Sequence, residues 1–203
     1  ERFAAAPDAD TVDRVRARFQ LDHPFVLYVG NIKPHKNLAR LIAAFAEMRA
    51  DGPEGLKLVV IGDETSKHPG LRQAVHRHRL DKHVRFFGFQ PSTTLVVFYR
   101  LARAFVFPSL YEGFGLPPLE AMAHETPVVT SNVSSLPEVA GDGALLVDPY
   151  DVHAIADGMR RVVTDEALRR DLIEKGRVRA RAFSWRQAAA STLQVYRQVL
   201  GQA

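Results

Sequence analysis

Short runs of β-branched and aromatic residues recur along this chain, and between them apolar positions return every three or four residues. The first run is Phe25-Val26-Leu27-Tyr28-Val29-Gly30, and others follow at 56–62, 84–88, 104–108, 127–130 and 144–147. Most are continuously apolar rather than alternating, as strands covered on both faces are. Strands interleaved with helical periods predict βαβ units, and about six of them predict an α/β domain with a Rossmann-like, doubly wound parallel sheet.

The helical stretches carry matching stripes. Leu38, Leu41, Ile42, Phe45 and Met48 share one face of a helix, and Val152, Ile155, Met159, Val162 and Val163 share another behind Asp151 as N-cap. Asn37 or a neighbour is placed to cap the first of these helices. Ser184-Trp185-Arg186-Gln187 has the spacing of a capping box that opens a last helix, with Trp185 expected to pack. Residues 1–22 read as a polar linker with a short helix near Val12 to Phe19, after a turn at Pro7 and Asp8. The expected organisation is linker 1–22, a Rossmann-like domain at 23–183 and a C-terminal helix at 184–203.

Composition narrows the classes. The 203 residues are 46% hydrophobic and 25% charged, enough for one well-buried core. No cysteine is present, which excludes a disulfide framework, a thiolate metal site and a cysteine nucleophile. No apolar run approaches the roughly 20 residues of a membrane span, and no hydrophobic signal segment opens the chain, so a cytoplasmic protein is expected, with contact to a membrane surface left open. The net charge of +4 favours anionic ligands without choosing among them. His68, His76, His78 and His83 lie in a basic segment with Arg72, Arg77, Arg79, Lys82 and Arg85, but their spacing does not make a zinc site. Neither that segment nor the one from Arg169 to Arg181 interleaves aromatic residues with charge, so both read as solvated helix faces and no nucleic-acid partner is expected.

In an open α/β sheet, ligands bind beyond the carboxyl ends of the strands. Two of the loops there carry chemistry. In Gly30-Asn31-Ile32-Lys33-Pro34-His35-Lys36-Asn37, a lysine beside a helix start suits a diphosphate, although solvation alone would explain a lysine in a polar loop. In the second loop, Gly113 and Gly115 let backbone approach a ligand, and the following helix aims its first N–H groups at the same place. Glu112 and Glu120 could both face one crevice and accept hydrogen bonds from sugar hydroxyls. Taken alone, Glu112 is equally a solvated loop acid, and Glu120 equally a first-turn partner of the helix dipole.

The stretch from Glu112 to Glu120, E-G-F-G-L-P-P-L-E, resembles the paired-glutamate signature of glycosyltransferase family 4, two glutamates with seven residues between them. Matching text surrounds it in order: Tyr28-Val29-Gly30, Lys36-Asn37-Leu38, Phe87-Gly88, Pro108-Ser109, Glu120-Ala121-Met122-Ala123, Pro127-Val128-Val129, Leu136-Pro137-Glu138-Val139 and Asp148-Pro149. The resemblance implies one half of a GT-B fold, the C-terminal domain that holds a nucleotide-sugar. By that resemblance Lys36 would contact the diphosphate, and Glu112 with the backbone of Phe114 to Leu116 the transferred sugar. Glu120 would take the ribose hydroxyls, and the base would lie near Phe87-Gly88-Phe89. Lys36 and Glu112 are the expected catalytic residues. Gly30, Asn31, Phe87, Gly88, Gly113, Phe114, Gly115, Leu116 and Glu120 complete the expected donor site.

The same resemblance implies transfer of a hexose, with mannose the first choice, and retention of anomeric configuration. No metal or other cofactor is expected, the nucleotide-sugar being a substrate. An acceptor-binding N-terminal domain outside these residues is expected as partner, and without it the chain should be inactive. The alternative is a non-catalytic nucleotide-sugar-binding module. Two departures stand out: many family members carry Arg where Asn31 stands, and Gly where Glu125 stands.

Overall fold

The computed structural model describes residues 7–62 and 68–201. Its elements run α1 (Ala9–Phe19), β1 (Phe25–Val29), α2 (Leu38–Arg49), β2 (Lys57–Ile61), α3 (Pro69–Arg77), β3 (Val84–Phe87), α4 (Ser92–Leu101) and β4 (Ala104–Phe107). They continue with α5 (Leu116–Ala123), β5 (Val128–Ser131), α6 (Leu136–Ala140), β6 (Ala144–Val147), α7 (Val152–Thr164), α8 (Glu166–Arg181) and α9 (Trp185–Val199). All six expected strands form, each within one residue of its apolar run. Every strand pairing is parallel, in the order β3-β2-β1-β4-β5-β6. Phe25 to Tyr28 of β1 and all of β4 and β5 are buried, so the sheet is covered on both faces.

Helix α2 buries its whole predicted stripe, Leu38, Leu41, Ile42, Phe45 and Met48, and packs against α3 and α7. In a second group of helices α4 meets α1 and α5, and α5 meets α8. The short helix expected within 1–22 is α1. Asp8 caps it by accepting from the Thr11 N–H, and Val15 and Phe19 join the main core. The Phe19 ring meets Phe87 and Phe98 edge-on at 5.1 Å each. The linker segment 1–6 lies outside the described residues.

Two expectations need correction. The Arg169 to Arg181 stretch is not a uniformly solvated face: Arg169 donates to the Arg103 carbonyl, and Arg179 to those of Val139 and Glu138. Helix α8 lies on α5, and these arginines donate to the backbone just before β4 and within α6. Nor does Trp185 pack. Ser184 does accept from the Gln187 N–H as N-cap, but α9 buries none of its residues, leaving Trp185, Leu193, Tyr196, Val199 and Leu200 exposed.

Helix α5 ends in a Schellman turn: the Glu125 N–H bonds to Met122 and the Thr126 N–H to Ala121. Glu125 therefore takes φ 61°, a left-handed conformation that suits the glycine many family members carry there. The left-handed cost of about 1–2 kcal/mol is partly offset in any Gly variant by about 0.4–1 kcal/mol of unfolded-chain entropy. Glu125→Gly should raise stability by about 0.5–1 kcal/mol. Urea titration of both proteins checks this, and a destabilised glycine variant would contradict the account of the turn.

Candidate functional site

Strand order reverses between β1 and β4, so the loops that leave these two strands diverge and open a crevice at their carboxyl ends. They are the two loops that carry chemistry in the sequence. Asn37 ties them together. It does not cap α2 as expected: its backbone is left-handed, φ 63°, and its side chain makes no cap hydrogen bond. That backbone turns the amide away from the helix start, and asparagine tolerates it better than most residues. Nδ2 donates instead to the carbonyls of Pro108 (2.9 Å) and Pro149 (2.7 Å), while Oδ1 accepts from Arg40. One buried amide so joins the loops after β1, β4 and β6. The Leu110 N–H adds a bond of 2.7 Å to the His35 carbonyl.

Lys36 closes a single 3-10 turn, Pro34–Lys36, just before Asn37. Its Nζ lies 2.5 Å from Glu112 Oε1 and 5.1 Å from the centre of the buried Phe107 ring. The side chains of Lys36 and Glu112 are only 13% and 12% exposed. The two expected catalytic residues thus meet in one ion pair. The Phe107 ring beneath is itself stacked on Tyr28, 5.8 Å between centres.

Residues the sequence did not single out hold Glu112 in place. Ser134 Oγ accepts from the Glu112 N–H and bonds its carbonyl, while Ser135 Oγ lies 2.9 Å from the carbonyls of both Glu112 and Phe114. Isolated serines between β5 and α6 form no pattern that sequence reading can weigh. The left-handed backbone of Ser134, φ 60°, is the one local oddity, and it too is visible only in the structure.

Glycine works differently from the expectation. Gly113 is exposed with open space about its Cα, as ligand approach needs, but Gly115 is buried at φ 103°, and a Cβ there would meet Leu136 at 2.7 Å. Gly115 sets the turn into α5 rather than facing a ligand. The start of α5 is also poorer in donors than expected, because Pro117 and Pro118 lack N–H groups. Gly30 stands under the site: a Cβ on Gly62, at the end of β2, would fall 2.0 Å from the Gly30 carbonyl oxygen, so the two strand ends meet backbone to backbone.

Glu120 is the fifth residue of α5, past the first turn where a helix-dipole contact operates. Its Oε2 accepts from the Tyr99 hydroxyl at 2.9 Å, and burial raises its pKa, with the Tyr99 bond acting in the opposite sense. Asn31, Gly88, Phe114 and Leu116 are exposed around the crevice loops. Phe87 turns its ring into the core against Phe19 and Phe98, and the neighbouring Phe89 is the exposed aromatic of that loop. Among the described residues no three His, Asp or Glu side chains are grouped to hold a metal ion, and no helix is long and apolar enough to cross a membrane.

Residues 10–179 match the family model described as Glycosyl transferases group 1. O-antigen chain mannosyltransferase B of Escherichia coli is 38% identical over 85% of this chain, which spans 45% of that protein. Sucrose-phosphate synthase of Thermosynechococcus elongatus superposes on the whole chain with a TM-score of 0.83 at 32% identity, and 51% of it is matched. A structure of HepE from Anabaena, in complex with UDP and glucose, has a TM-score of 0.80 at 21% identity over 93% of this chain and 53% of its own. The chain spans about half the length of these three proteins, and it has the fold of one half of a GT-B enzyme.

Two outcomes follow from the geometry. Asn37→Ala would leave two buried carbonyls without their donor, each worth about 1–3 kcal/mol, so stability should fall by about 2–4 kcal/mol, read by urea unfolding; a loss under about 0.5 kcal/mol would show that the amide is not the tie. Glu120 has a folded pKa above its unfolded value, so its ionised form weakens the fold at neutral pH, and that penalty disappears as pH falls through the folded pKa. Glu120→Gln should therefore melt higher than wild type at pH 7 and lose this advantage below the unfolded pKa. Equal melting temperatures across the whole range would contradict it.

Proposed function

Because this chain belongs to the glycosyl transferases group 1 family, we propose that it binds the nucleotide-sugar donor of a hexosyltransferase acting with retention of configuration. The observation that carries this is the Lys36–Glu112 pair at the switch point of the sheet, a cation and a carboxylate held together where the loops after β1 and β4 part. Lys36 takes the diphosphate, and Glu112 with the backbone of Phe114 to Leu116 takes the sugar. Glu120 takes the ribose hydroxyls, and the loop at Gly88 and Phe89 takes the base.

The similarity to a mannosyltransferase supports mannose as the sugar, and the HepE complex supports a nucleoside diphosphate as its carrier. Positive charge on Lys36 stabilises the departing diphosphate, the role a divalent metal fills elsewhere, so no metal is needed. Acceptor recognition belongs to a second domain, the N-terminal half of a GT-B pair, and a cytoplasmic, membrane-peripheral location goes with the same reading. A non-catalytic nucleotide-sugar module would use the same anchors, Glu112 included, and differs in that the complete two-domain protein would transfer no sugar.

The ion pair makes the roles separable by calorimetry. Lys36→Met should weaken UDP and GDP by a similar factor and reduce the salt dependence of binding. Glu112→Gln releases Lys36 from its partner, so nucleoside diphosphates should bind equally well or up to about fivefold tighter, in line with the modest strength of such pairs. The extra affinity of a nucleotide-sugar over its diphosphate should vanish in that variant. Loss of diphosphate binding in Glu112→Gln, with Lys36→Met unaffected, would overturn the assignment. A protein cut to these residues should bind donor and transfer no sugar in a radiolabel assay, because acceptor orientation is assigned to the second domain.

A further inference from the structure

Glu120 is held by more than its own helix. Tyr99, at the end of α4, is fully buried, and its hydroxyl donates to Glu120 Oε2 at 2.9 Å. The tyrosine is fixed on several sides. Its ring stands edge-on to Phe105 at 5.5 Å and stacks on His124 at 6.0 Å between centres. Its backbone carbonyl accepts from Thr126 Oγ1 at 2.6 Å. His124 and Thr126 belong to the turn that ends α5, the helix that carries Glu120. The turn and the carboxylate therefore grip the same residue from two points along α5, and the side chain of Glu120 has little freedom left to lose when a ligand binds.

We propose that Tyr99 is a positioning residue for nucleotide recognition: it holds one oxygen of the Glu120 carboxylate so that the other is presented, pre-oriented, to the ribose hydroxyls. The proposal rests on the reading of Glu120 as the ribose ligand. Burial keeps the Tyr99 phenol well above its ordinary pKa, so at neutral pH it is always a donor and favours the ionised carboxylate as its acceptor. The two influences on the Glu120 carboxyl are burial, which raises its pKa, and the Tyr99 bond, which lowers it. No charged side chain described on α4, α6, α8, β4 or β5 adds to these. His124, one turn further along α5, is held below its ordinary pKa by burial and by Arg100, and so faces the tyrosine as a neutral ring.

The test compares GDP and UDP with their 2′-deoxy forms by calorimetry across pH. Tyr99→Phe removes only the hydroxyl. It should cut the preference for ribose about threefold to tenfold, the range of one hydrogen bond, and move the pH midpoint of that preference upward. Site-specific 3-fluorotyrosine at position 99, a stronger donor of nearly the same size, should move the midpoint downward, and it decides the matter if the phenylalanine variant does not fold. Adding Tyr99→Phe to Glu120→Gln should cause no further loss of preference. An unchanged preference and midpoint in Tyr99→Phe, or an unmoved midpoint with fluorotyrosine, would overturn the proposal. If Glu120→Gln itself keeps the full ribose preference, the ribose assignment fails, a result distinct from failure at Tyr99 alone.

Discussion

The site depends on one buried side-chain amide. Parallel sheets deliver their loops to one edge, but the loops after β1 and β4 run to opposite faces and nothing in the sheet itself fixes the gap between them. Asn37 fixes it, with one nitrogen donating to carbonyls that follow β4 and β6. Lys36 precedes this knot by one residue, and Glu112 follows Pro108 by four. The short distance between their charged atoms is thus set by where Asn37 pins the two chains. The serines at 134 and 135 then hold the Glu112 backbone from the β5 side.

The strands and core helices were legible because burial on both faces forces continuous apolar runs, and packing on a sheet forces a helical stripe. Those constraints act on many residues at once, and for that reason six strands and the stripe of α2 appear where the sequence puts them. Asn37 was visible as a polar residue at a helix start, but its left-handed backbone was not, so capping was the natural expectation and the wrong one. Tyr99 was hidden for another reason. It sits in an apolar helical period and reads as core, which it is, and only its hydroxyl reaches out of that core chemistry, to Glu120. Trp185 shows the opposite failure, since a stripe of apolar residues on α9 does not say whether anything lies beneath it.

Helix α5 combines two features that work against stability. It ends on a glutamate in a left-handed turn, and it carries a carboxylate partly withdrawn from water. Only the second has a role proposed for it. The turn at Glu125 has the hydrogen bonds that a glycine would give, with added strain, and nothing in the structure explains the choice of glutamate. Glu120 is different, because a carboxylate with reduced hydration binds hydroxyl groups more strongly than a solvated one and its geometry is already fixed.

A cation that already has a partner discriminates among anions. A chloride ion approaching Lys36 must draw it away from a carboxylate at 2.5 Å, and offers Glu112 nothing in return. A ligand that brings negative charge and hydroxyl donors together can satisfy both members of the pair at once. The crevice should therefore be nearly indifferent to the simple anions dissolved around it, although the protein is basic overall, and its occupancy should follow the supply of molecules that carry both groups on one skeleton.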